Sequence, residues 1–571
     1  MARSILSHNL EYIDEDGSIR LGAGEPQTGD ESAHVAFALG EYYRLTHEKK
    51  FVGFDLIDLA AKTITYQLSG PQSPQGMGYV ALAVLSFGPA KERNLVWEKL
   101  SEETREKIDR LLLQHDDLGR NNAIYEIARA VARYSLRLTK RDSIGKLVDR
   151  YLERYEATNG FVDSSTQGIG GDFDISGLFN FSFIRQALHL HTDTFLIEKK
   201  LPSLRTYAEK YLRLISELIR EDGTCWAYGP NCGAYAQMYC ISAVLQALRD
   251  NWIPSTQQAL YVSIVLDLFQ NFFCRYIDQE QGYMVIRDAE RSSGEEQSSI
   301  RANFDAVRYL CQWSRLAKKS SLDTTKIRRV PVFKSGNRLV IFNKEGKYEH
   351  GLFIYRDAKT GMDLQLPLIG GNGLANSDCL AFPHCPGVFD WPVAQYLPIL
   401  QPELMIDGKK FIPSYYGKQL CTGLGSHGSI VFSYEQPELI TVEEEIVPNL
   451  ASCKVSWIFN EGKVTSEFTF SPKNRVRVEH IRYMIALSAP HSLYGANNLA
   501  LDEQSLRAVV EHDDMLLTWQ EVAAVAEDPK YRTYYGKIHY LQELSRTYPL
   551  IMHPGQTYKL SVSFTPDVIR I

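Results

Sequence analysis

The chain of 571 residues has no apolar run near the length that a membrane span needs. A spanning helix takes about 20 consecutive apolar residues. The N-terminal stretch reaches acidic side chains within its first dozen residues and has no apolar core of the kind found in a secretory signal peptide. We therefore expect a cytoplasmic protein that does not bind a membrane.

Cysteine is scarce, and positive charge is not in excess. The nine cysteines are odd in number and show no metal-like pairing, which predicts reduced thiols rather than a disulfide framework. Cys379 and Cys385 flank His384, but their spacing matches no zinc pattern, so we expect neither a metal nor another cofactor. With 62 basic and 69 acidic residues the net charge is -7, which argues against binding to nucleic acid through its phosphates.

The length exceeds what one hydrophobic core usually serves, and two patterns divide the chain. Residues 1–30 are polar and predict an extended N-terminal arm. From 31 to 318 apolar residues recur with helical spacing. The expected helices lie near 32–47, 53–68, 75–88, 92–113, 121–138, 142–156, 174–190, 201–220, 233–250, 255–277 and 298–317. Short loops alternate with long Gly-rich ones, which favours a closed (α/α)6-type toroid over an open solenoid.

A basic linker at 319–330 separates this part from a β-rich part at 331–571. Alternating or β-branched runs predict strands at 338–342, 352–355, 454–459, 464–470, 475–487 and 558–564. Asp407-Gly408 and Glu461-Gly462 are hairpin-type turn signals. The predicted fold class is therefore α+β and multidomain, with a helical toroid followed by an antiparallel β-sandwich.

Residues 369–398 interrupt the β pattern with a long stretch rich in Gly and Pro. Long irregular connections in compact domains commonly carry function, although the same composition also suits a packed crossover without a ligand. In the functional interpretation this loop faces the mouth of the toroid. It would supply His384 or Asp390 to catalysis and Trp391 to substrate binding.

Three polar islands each come directly before a predicted helix, so each should lie in a loop at a helix start. The first is Arg120-Asn121-Asn122. One of the two asparagines can cap the helix, but an arginine with two amides exceeds what a cap needs. A guanidinium with neighbouring amide donors is suited to binding a substrate carboxylate.

The second island carries Asp163, Asp172 and Asp174. One of these carboxylates can cap the following helix. Two carboxylates at one mouth are also the minimum for hydrolysing a glycosidic bond, since one donates a proton and the other activates water or attacks.

The third island brings Asp222, Tyr228 and Tyr235, with Tyr239 one turn further on. Tyrosine can stack on a sugar ring or transfer a proton, and tyrosines four residues apart on a helix also suit a core.

This succession resembles a bacterial family called domain of unknown function type 2264. The resemblance runs from about Ser101 to Tyr309 and implies roles for Asn121, Asn122, Asp163, Asp174, Asp222, Tyr228 and Tyr235. A weaker similarity covers Phe382-Pro383-His384. In architecture such proteins are similar to toroid-plus-sandwich enzymes that act on uronic-acid saccharides, both glucuronidase-like hydrolases and heparinase-like lyases.

The chain departs from the family pattern at two places. The family has Tyr-Gly-Arg-Ser where this chain has Tyr228-Gly229-Pro230-Asn231, and two aromatic residues where it has Ile175-Ser176. The missing arginine leaves the recognition of the sugar acid to other residues.

The leading hypothesis from the sequence is hydrolysis of an acidic oligosaccharide at a terminal uronic acid. Asp174 with Asp163 or Asp172 would form the carboxylate pair, and Arg120 and Asn121 would hold the sugar acid. The alternative within saccharide cleavage is β-elimination, with Tyr235 or His384 removing the proton. A non-catalytic saccharide-binding protein and a sugar epimerase or isomerase are further alternatives, and a homodimer is an open assembly state.

Overall fold

The computed structural model describes most of both predicted parts. The described residues are 1–22, 29–88, 93–113, 123–140, 143–157, 161, 175–190, 194–228, 233–286, 299–320, 328–342, 348–370, 382–385, 396–460, 463–490, 499–500, 509–512, 518–524, 536–564 and 569–570.

Helices dominate the N-terminal part. The described helices are α1 (Ala2–Asn9), α2 (Glu31–Thr46), α3 (Leu56–Gln67), α4 (Pro74–Ser86), α5 (Leu95–Lys99), α6 (Glu102–Leu113), α7 (Ala123–Ser135), α8 (Ile144–Ala157), α9 (Ser176–Leu190), α10 (Thr194–Leu218), α11 (Ala234–Arg249), α12 (Ser255–Tyr276) and α13 (Ser299–Lys319). Within the described part of the chain, none of these helices is long and apolar enough to cross a membrane.

Local chemistry sets several helix starts. Asp55 accepts hydrogen bonds from the backbone N–H groups of Ile57 and Asp58 at the start of α3. Ser73 accepts one from Gly76 at the start of α4, where Pro74 occupies the first helical position. Side-chain acceptors satisfy the free N–H groups of a first turn, and proline has none to leave free.

Six helices contact one another in a cycle. The order is α2, α4, α7, α9, α11 and α13, and α13 contacts α2 again. The helices run in the same direction, because residues near their starts contact one another. His34 of α2 bonds Asp305 of α13. The rings of Tyr79 in α4 and Tyr125 in α7 are in contact, as are those of Phe179 in α9 and Tyr239 in α11. At the other end, Glu41 late in α2 pairs with Arg315 late in α13. This cycle is the arrangement that the inner ring of a toroid requires.

The C-terminal part consists mainly of antiparallel strands, and the first four strands of the chain are short ones that lie in the helical part. The described strands are β1 (Lys50–Phe51), β2 (Phe54–Asp55), β3 (Ile277–Asp278), β4 (Tyr283–Met284), β5 (Gly336–Ile341), β6 (Gly351–Asp357), β7 (Met362–Leu368), β8 (Pro402–Ile406), β9 (Lys409–Ile412), β10 (Lys418–Leu424), β11 (Ile430–Gln436), β12 (Leu439–Thr441), β13 (Ile446–Val447), β14 (Ala451–Asn460), β15 (Lys463–Pro472), β16 (Val476–Val478), β17 (His480–Pro490), β18 (Leu499–Ala500), β19 (Val509–His512), β20 (Thr518–Ala524), β21 (Gly536–Arg546), β22 (Leu550–Met552), β23 (Tyr558–Phe564) and β24 (Ile569–Arg570).

Two larger sheets dominate this part. One has the strand order β10-β11-β14-β15-β23-β19, and the other has the order β13-β12-β9-β8-β17-β21-β20. In β14 buried residues alternate with less buried ones, as expected for a strand with one face in a core. The two sheets meet where Tyr483 of β17 lies 3.2 Å from Ser466 of β15 through their hydroxyl oxygens. The named strand pairs of the described residues are all antiparallel, and the β-sandwich remains a prediction.

Three details of the prediction were wrong. The N-terminal arm is not extended throughout, because Ala2–Asn9 forms α1, which packs on α13 through buried apolar residues that include Ile5 and Leu6. The helix expected over 92–113 is two helices, because Leu100 is extended and Ser101 caps α6 by accepting from the Thr104 N–H. The run expected over 475–487 is likewise two strands, β16 and β17, in different sheets.

Contacts within the chain separate two units. The helical unit comprises Met1–Glu156, Ile175–Trp226 and Gly233–Val332. The sheet unit comprises Ala157–Asp174, Ala227–Cys232 and Phe333–Ile571. The sheet unit therefore includes two short segments that the sequence assigned to the toroid.

Candidate functional site

The three polar islands precede helices of the six-helix cycle. Asn122 directly precedes α7, Asp174 comes two residues before α9, and Gly233 directly precedes α11. These boundaries show that α7, α9 and α11 begin close to their predicted starts. The side chains of the first two islands fall outside the described residues, as do two predicted residues of the β-rich part: Arg120, Asn121, Asn122, Asp163, Asp172, Asp174, Asp390 and Trp391.

A group of charged and polar side chains fills the ring at this end of the helical unit. We call it the Asp305 cluster, and it comprises His34, Tyr235, Arg301, Asp305 and Arg308. The Tyr235 Oη donates to Asp305 Oδ2 at 3.0 Å, and Arg308 Nη2 donates to Oδ1 at 3.0 Å. Imidazole Nδ1 of His34 lies 3.0 Å from Oδ1, and Arg301 Nε lies 4.0 Å from Oδ2. Each of the five residues is less than a tenth exposed.

Asp305 is held as a carboxylate. Burial alone would raise its pKa, but His34 and the two arginines outweigh burial and lower the pKa of Asp305 below its ordinary value. Asp305 therefore stays ionised and acts as an acceptor that orients its neighbours.

His34 is arranged as a base. Because its Nδ1 faces an ionised carboxylate, that nitrogen carries the ring proton and Nε2 presents a lone pair. Burial, with Arg301 adding to it, lowers the pKa of His34 below its ordinary value, so the ring is neutral near pH 7. Nε2 has no hydrogen-bond partner among the residues that the structure describes. The imidazole can therefore accept a proton at Nε2.

Tyr235 is arranged as an acid. Burial, with Asp305 adding to it, raises the pKa of Tyr235 well above its ordinary value. The phenol therefore keeps its proton and can donate it. A neutral imidazole and a protonated phenol thus share one carboxylate.

Aromatic rings surround the cluster. The rings of His34 and Tyr79 lie 3.9 Å apart, and the Arg308 guanidinium lies 4.1 Å from the Tyr309 ring. On α11, the aromatic rings of Tyr235 and Tyr239 are in contact, with 6.0 Å between their centroids. Aromatic faces suit sugar rings as well as cores.

The Asp305 cluster itself carries one net positive charge, although the carboxylates of Asp30 and Glu31 also lie buried at the start of α2. Two arginines face one carboxylate within the cluster. Six parallel helices also begin at this end, and each helix N-terminus carries roughly half a positive charge. An anionic group is the ligand that such a field favours.

A second polar group lies in the sheet unit and contains two predicted residues. Tyr228 Oη donates to Gln365 Oε1 at 2.5 Å, and the rings of Tyr228 and His384 lie 6.0 Å apart, edge to face. His384 is fully buried, and its backbone pairs with that of Gln365. Its Nδ1 lies 2.9 Å from the carbonyl oxygen of Phe382, which places the ring proton on Nδ1. The structure thus brings together Tyr228 and His384, which are 156 positions apart in the sequence.

Asp222 supports a turn in the helical unit. Its Oδ1 accepts from the Thr224 N–H at 2.9 Å and from the Thr224 hydroxyl at 2.5 Å. Its carbonyl oxygen accepts from Asn271 Nδ2 at 2.7 Å. These contacts fix the chain after α10, and a role in substrate binding stays a prediction.

The sequence interpretation missed four members of the Asp305 cluster. Arg301, Asp305 and Arg308 are spaced by four and three residues, which places them on one face of a helix. His34 stands in an otherwise largely apolar stretch. A charged triplet on one helical face, opposite a histidine in a buried helix, is the signal that could have found them.

Comparisons with known proteins give remote structural similarity only. No protein-family model matches the chain, and no curated protein matches it. The resemblance to the type 2264 family is therefore not supported by a family match. Among solved structures, the heparan sulfate lyase HepC from Pedobacter heparinus is 10% identical with a TM-score of 0.30, over 93% of this chain and 79% of that chain.

Two further structures are similar at the same level. A glycosyl hydrolase of family 88 from Bacteroides vulgatus is 11% identical with a TM-score of 0.38, over 55% of this chain and 97% of that one. A Paenibacillus xanthan lyase is 9% identical with a TM-score of 0.47, over 99% of this chain and 56% of that one. With TM-scores below 0.5, these structures establish neither the fold nor the activity of this chain.

Proposed function

We propose that the chain is an enzyme that cleaves an acidic, uronic-acid-containing saccharide by β-elimination at the Asp305 cluster, within an (α/α)6 toroid that a β-sandwich follows. The observation that carries this proposal is the sharing of Asp305 by a neutral His34 and a protonated Tyr235. An oriented base and an oriented acid on one carboxylate supply both proton transfers that elimination needs.

The proposed reaction assigns one step to each group. His34 Nε2 takes the proton from C5 of the uronic acid, the C4–O4 bond breaks, and a C4–C5 double bond forms. Tyr235 gives its proton to the departing O4, and exchange of protons with water then restores both side chains. Arg301 and Arg308 lower the cost of negative charge on the sugar carboxylate while the C5 proton leaves.

Hydrolysis is the competing reaction. It needs a carboxylic acid whose pKa is raised so that it can donate a proton. Asp305 has a lowered pKa and does not meet that need. The pair that the sequence predicts for hydrolysis, Asp174 with Asp163 or Asp172, remains a prediction.

The proposal is tested by conservative variants of the acid and the base. Purified wild-type protein, Tyr235→Phe and His34→Gln are assayed on a panel of uronic oligosaccharides for ultraviolet-absorbing product. Loss of a general acid or base commonly costs about 100- to 10000-fold, so we expect each variant to lose at least about 100-fold in kcat/KM.

Tyr239→Phe is the matched control. Tyr239 lies one turn beyond Tyr235 on α11 and is similarly buried. We expect this control to keep its kcat/KM within about threefold. Full turnover in Tyr235→Phe, together with loss of turnover in His384→Gln, would move the chemistry to the Tyr228 and His384 group. No turnover of any substrate by wild-type protein would refute the proposal.

A further inference from the structure

The helical unit contains a second polar region at the opposite end of the six-helix cycle. A cavity of about 60 Å³ opens among the last turns of α2, α9, α11 and α13. Its basic side chains come from all four helices, and they are Arg44, Arg185, Arg249, Arg315 and Lys319. We call it the basic cavity.

Two carboxylates partly balance this charge. Glu41 is fully buried and pairs with both Arg44 and Arg315. Asp250 pairs with Arg185 through both of its oxygens. Five positive side chains therefore face two negative ones, which leaves an excess of three positive charges among the described residues.

Helix ends account for part of that excess. A helix C-terminus carries roughly half a negative charge, so four of them supply about two. About one positive charge is still uncompensated. Neither Arg249 nor Lys319 forms an ion pair with a carboxylate in the part of the chain that the structure describes.

Burial and the positive charge of the cavity lower the pKa values of the neighbouring His189 and Lys319. Burial, then Arg185 and Arg249, lowers the pKa of His189 to about 2, so His189 is a neutral member of the cavity wall. Burial, then Arg249 and Arg315, also lowers the pKa of Lys319. The basic side chains thus repel one another across the cavity.

Some buried polar atoms in the cavity wall have no hydrogen-bond partner among the described residues. Gln186 is 7% exposed, and its Nε2 has no hydrogen-bond partner among the described residues. Arg315 Nε is likewise a donor without a partner there. Buried donors without acceptors are costly, and an acceptor-rich ligand would satisfy them.

We propose that the basic cavity binds a tetrahedral oxyanion, either free or as a phosphoryl or sulfo group, at a site distinct from the Asp305 cluster. Such an anion carries the negative charge that the cavity lacks and offers several acceptor oxygens. Guanidinium groups bind it through paired N–H donors, and an ammonium group adds a point charge.

Inorganic phosphate and sodium sulfate are the probes, each titrated separately into the purified full chain by calorimetry at constant ionic strength. We expect saturable binding of at least one of the two by wild-type protein, together with a rise in Tm. Tighter phosphate than sulfate assigns the site to phosphoryl groups, the reverse order assigns it to sulfo groups, and equal binding assigns it to both.

The Arg249→Gln, Lys319→Gln double variant removes the two unpaired charges. We expect its Kd to rise at least tenfold, while its Tm without anion stays equal or rises because repulsion is relieved. The Lys62→Gln, Arg110→Gln double variant removes the same charge from exposed positions on α3 and α6 and should bind as the wild type does. The proposal is overturned if wild-type protein shows no saturable binding of either probe, or if both double variants bind equally.

Discussion

Asp305 is the residue on which the helical ring and its proposed chemistry both depend. Its two oxygens serve His34, Tyr235 and Arg308, and all four side chains are nearly fully buried. A buried charge without its partner costs far more than the pair contributes. The same carboxylate that positions a base and an acid therefore also stabilises the fold.

Removing the charge of Asp305 should lower the free energy of unfolding. Asp305→Asn leaves Arg308 without its buried counter-charge, and we expect a loss of about 3–5 kcal/mol in the free energy of unfolding, measured by urea denaturation. Asp14→Asn is the control, since Asp14 pairs with Arg20 at the surface and such pairs contribute about 0–1 kcal/mol. Equal losses in the two variants would contradict the role given to Asp305.

At this scale the sequence singled out Tyr235 but neither its partner Asp305 nor the other three members of the cluster. Tyr235 was singled out because it follows a polar loop, and the structure places it in a charged cluster. Its partners Asp305 and His34 lie 70 and 201 residues away in sequence. Helical periodicity shows which residues share a face, but it does not show which distant helix that face meets.

At the scale of elements, most helices and strands followed from apolar spacing. The six helices of the cycle begin within two residues of their predicted starts. The misses have local causes: α1 is a short helix whose polar residues conceal its buried face, and a Ser cap divides the predicted helix over 92–113. The sequence pattern does not predict where two helices cross, because a crossing depends on how closely the two backbones approach.

The crossing of α2 and α4 gives a test at this scale. A Cβ added at Gly40 would lie 2.6 Å from the Cβ of Ser86 and 3.3 Å from the Ala83 carbonyl oxygen. We expect Gly40→Ala to lower the free energy of unfolding by about 1–3 kcal/mol, because overpacking outweighs the better helix propensity of Ala.

Gly70→Ala is the control for this crossing. A Cβ at Gly70 would meet no atom within 4 Å. We expect its effect to stay within about 0.5 kcal/mol in the same urea titration. If Gly40→Ala leaves the free energy of unfolding unchanged, then α2 and α4 lie further apart than in this structure.

At the scale of the whole molecule, histidines buried in the neutral form make the fold sensitive to acid. Burial lowers the pKa of His350 in the sheet unit to about 4, and burial with neighbouring arginines lowers the pKa of His189 in the helical unit to about 2. Below the ordinary value of about 6.5 the unfolded chain takes up these protons before the folded chain does. The free energy of unfolding therefore falls as pH falls from about 6.5 toward these lower values.

His350→Gln should flatten part of this dependence. Between pH 7 and pH 5 we expect wild-type protein to lose about 1–2 kcal/mol more than the variant, measured from urea titrations at each pH. His553→Gln changes an exposed histidine and should leave the wild-type slope unchanged. A variant slope equal to that of wild type would show that His350 does not stay neutral in the fold.

The two ends of the six-helix cycle also differ in chemistry. The Asp305 cluster lies where the helices begin, and the basic cavity lies where they end. The Asp305 cluster and the basic cavity each hold more positive than negative side chains, but among the described residues the oriented base and acid lie together in the Asp305 cluster. We therefore propose cleavage at the Asp305 cluster and anion binding alone at the basic cavity.

The most direct measurement of the central claim follows one turnover product in two ways. Wild-type protein is incubated with uronic oligosaccharides, and new reducing ends are counted against ultraviolet absorbance from the C4–C5 double bond. Elimination at the Asp305 cluster predicts one double bond for each new reducing end. New reducing ends without that absorbance would contradict the account and favour the carboxylate pair that hydrolysis requires.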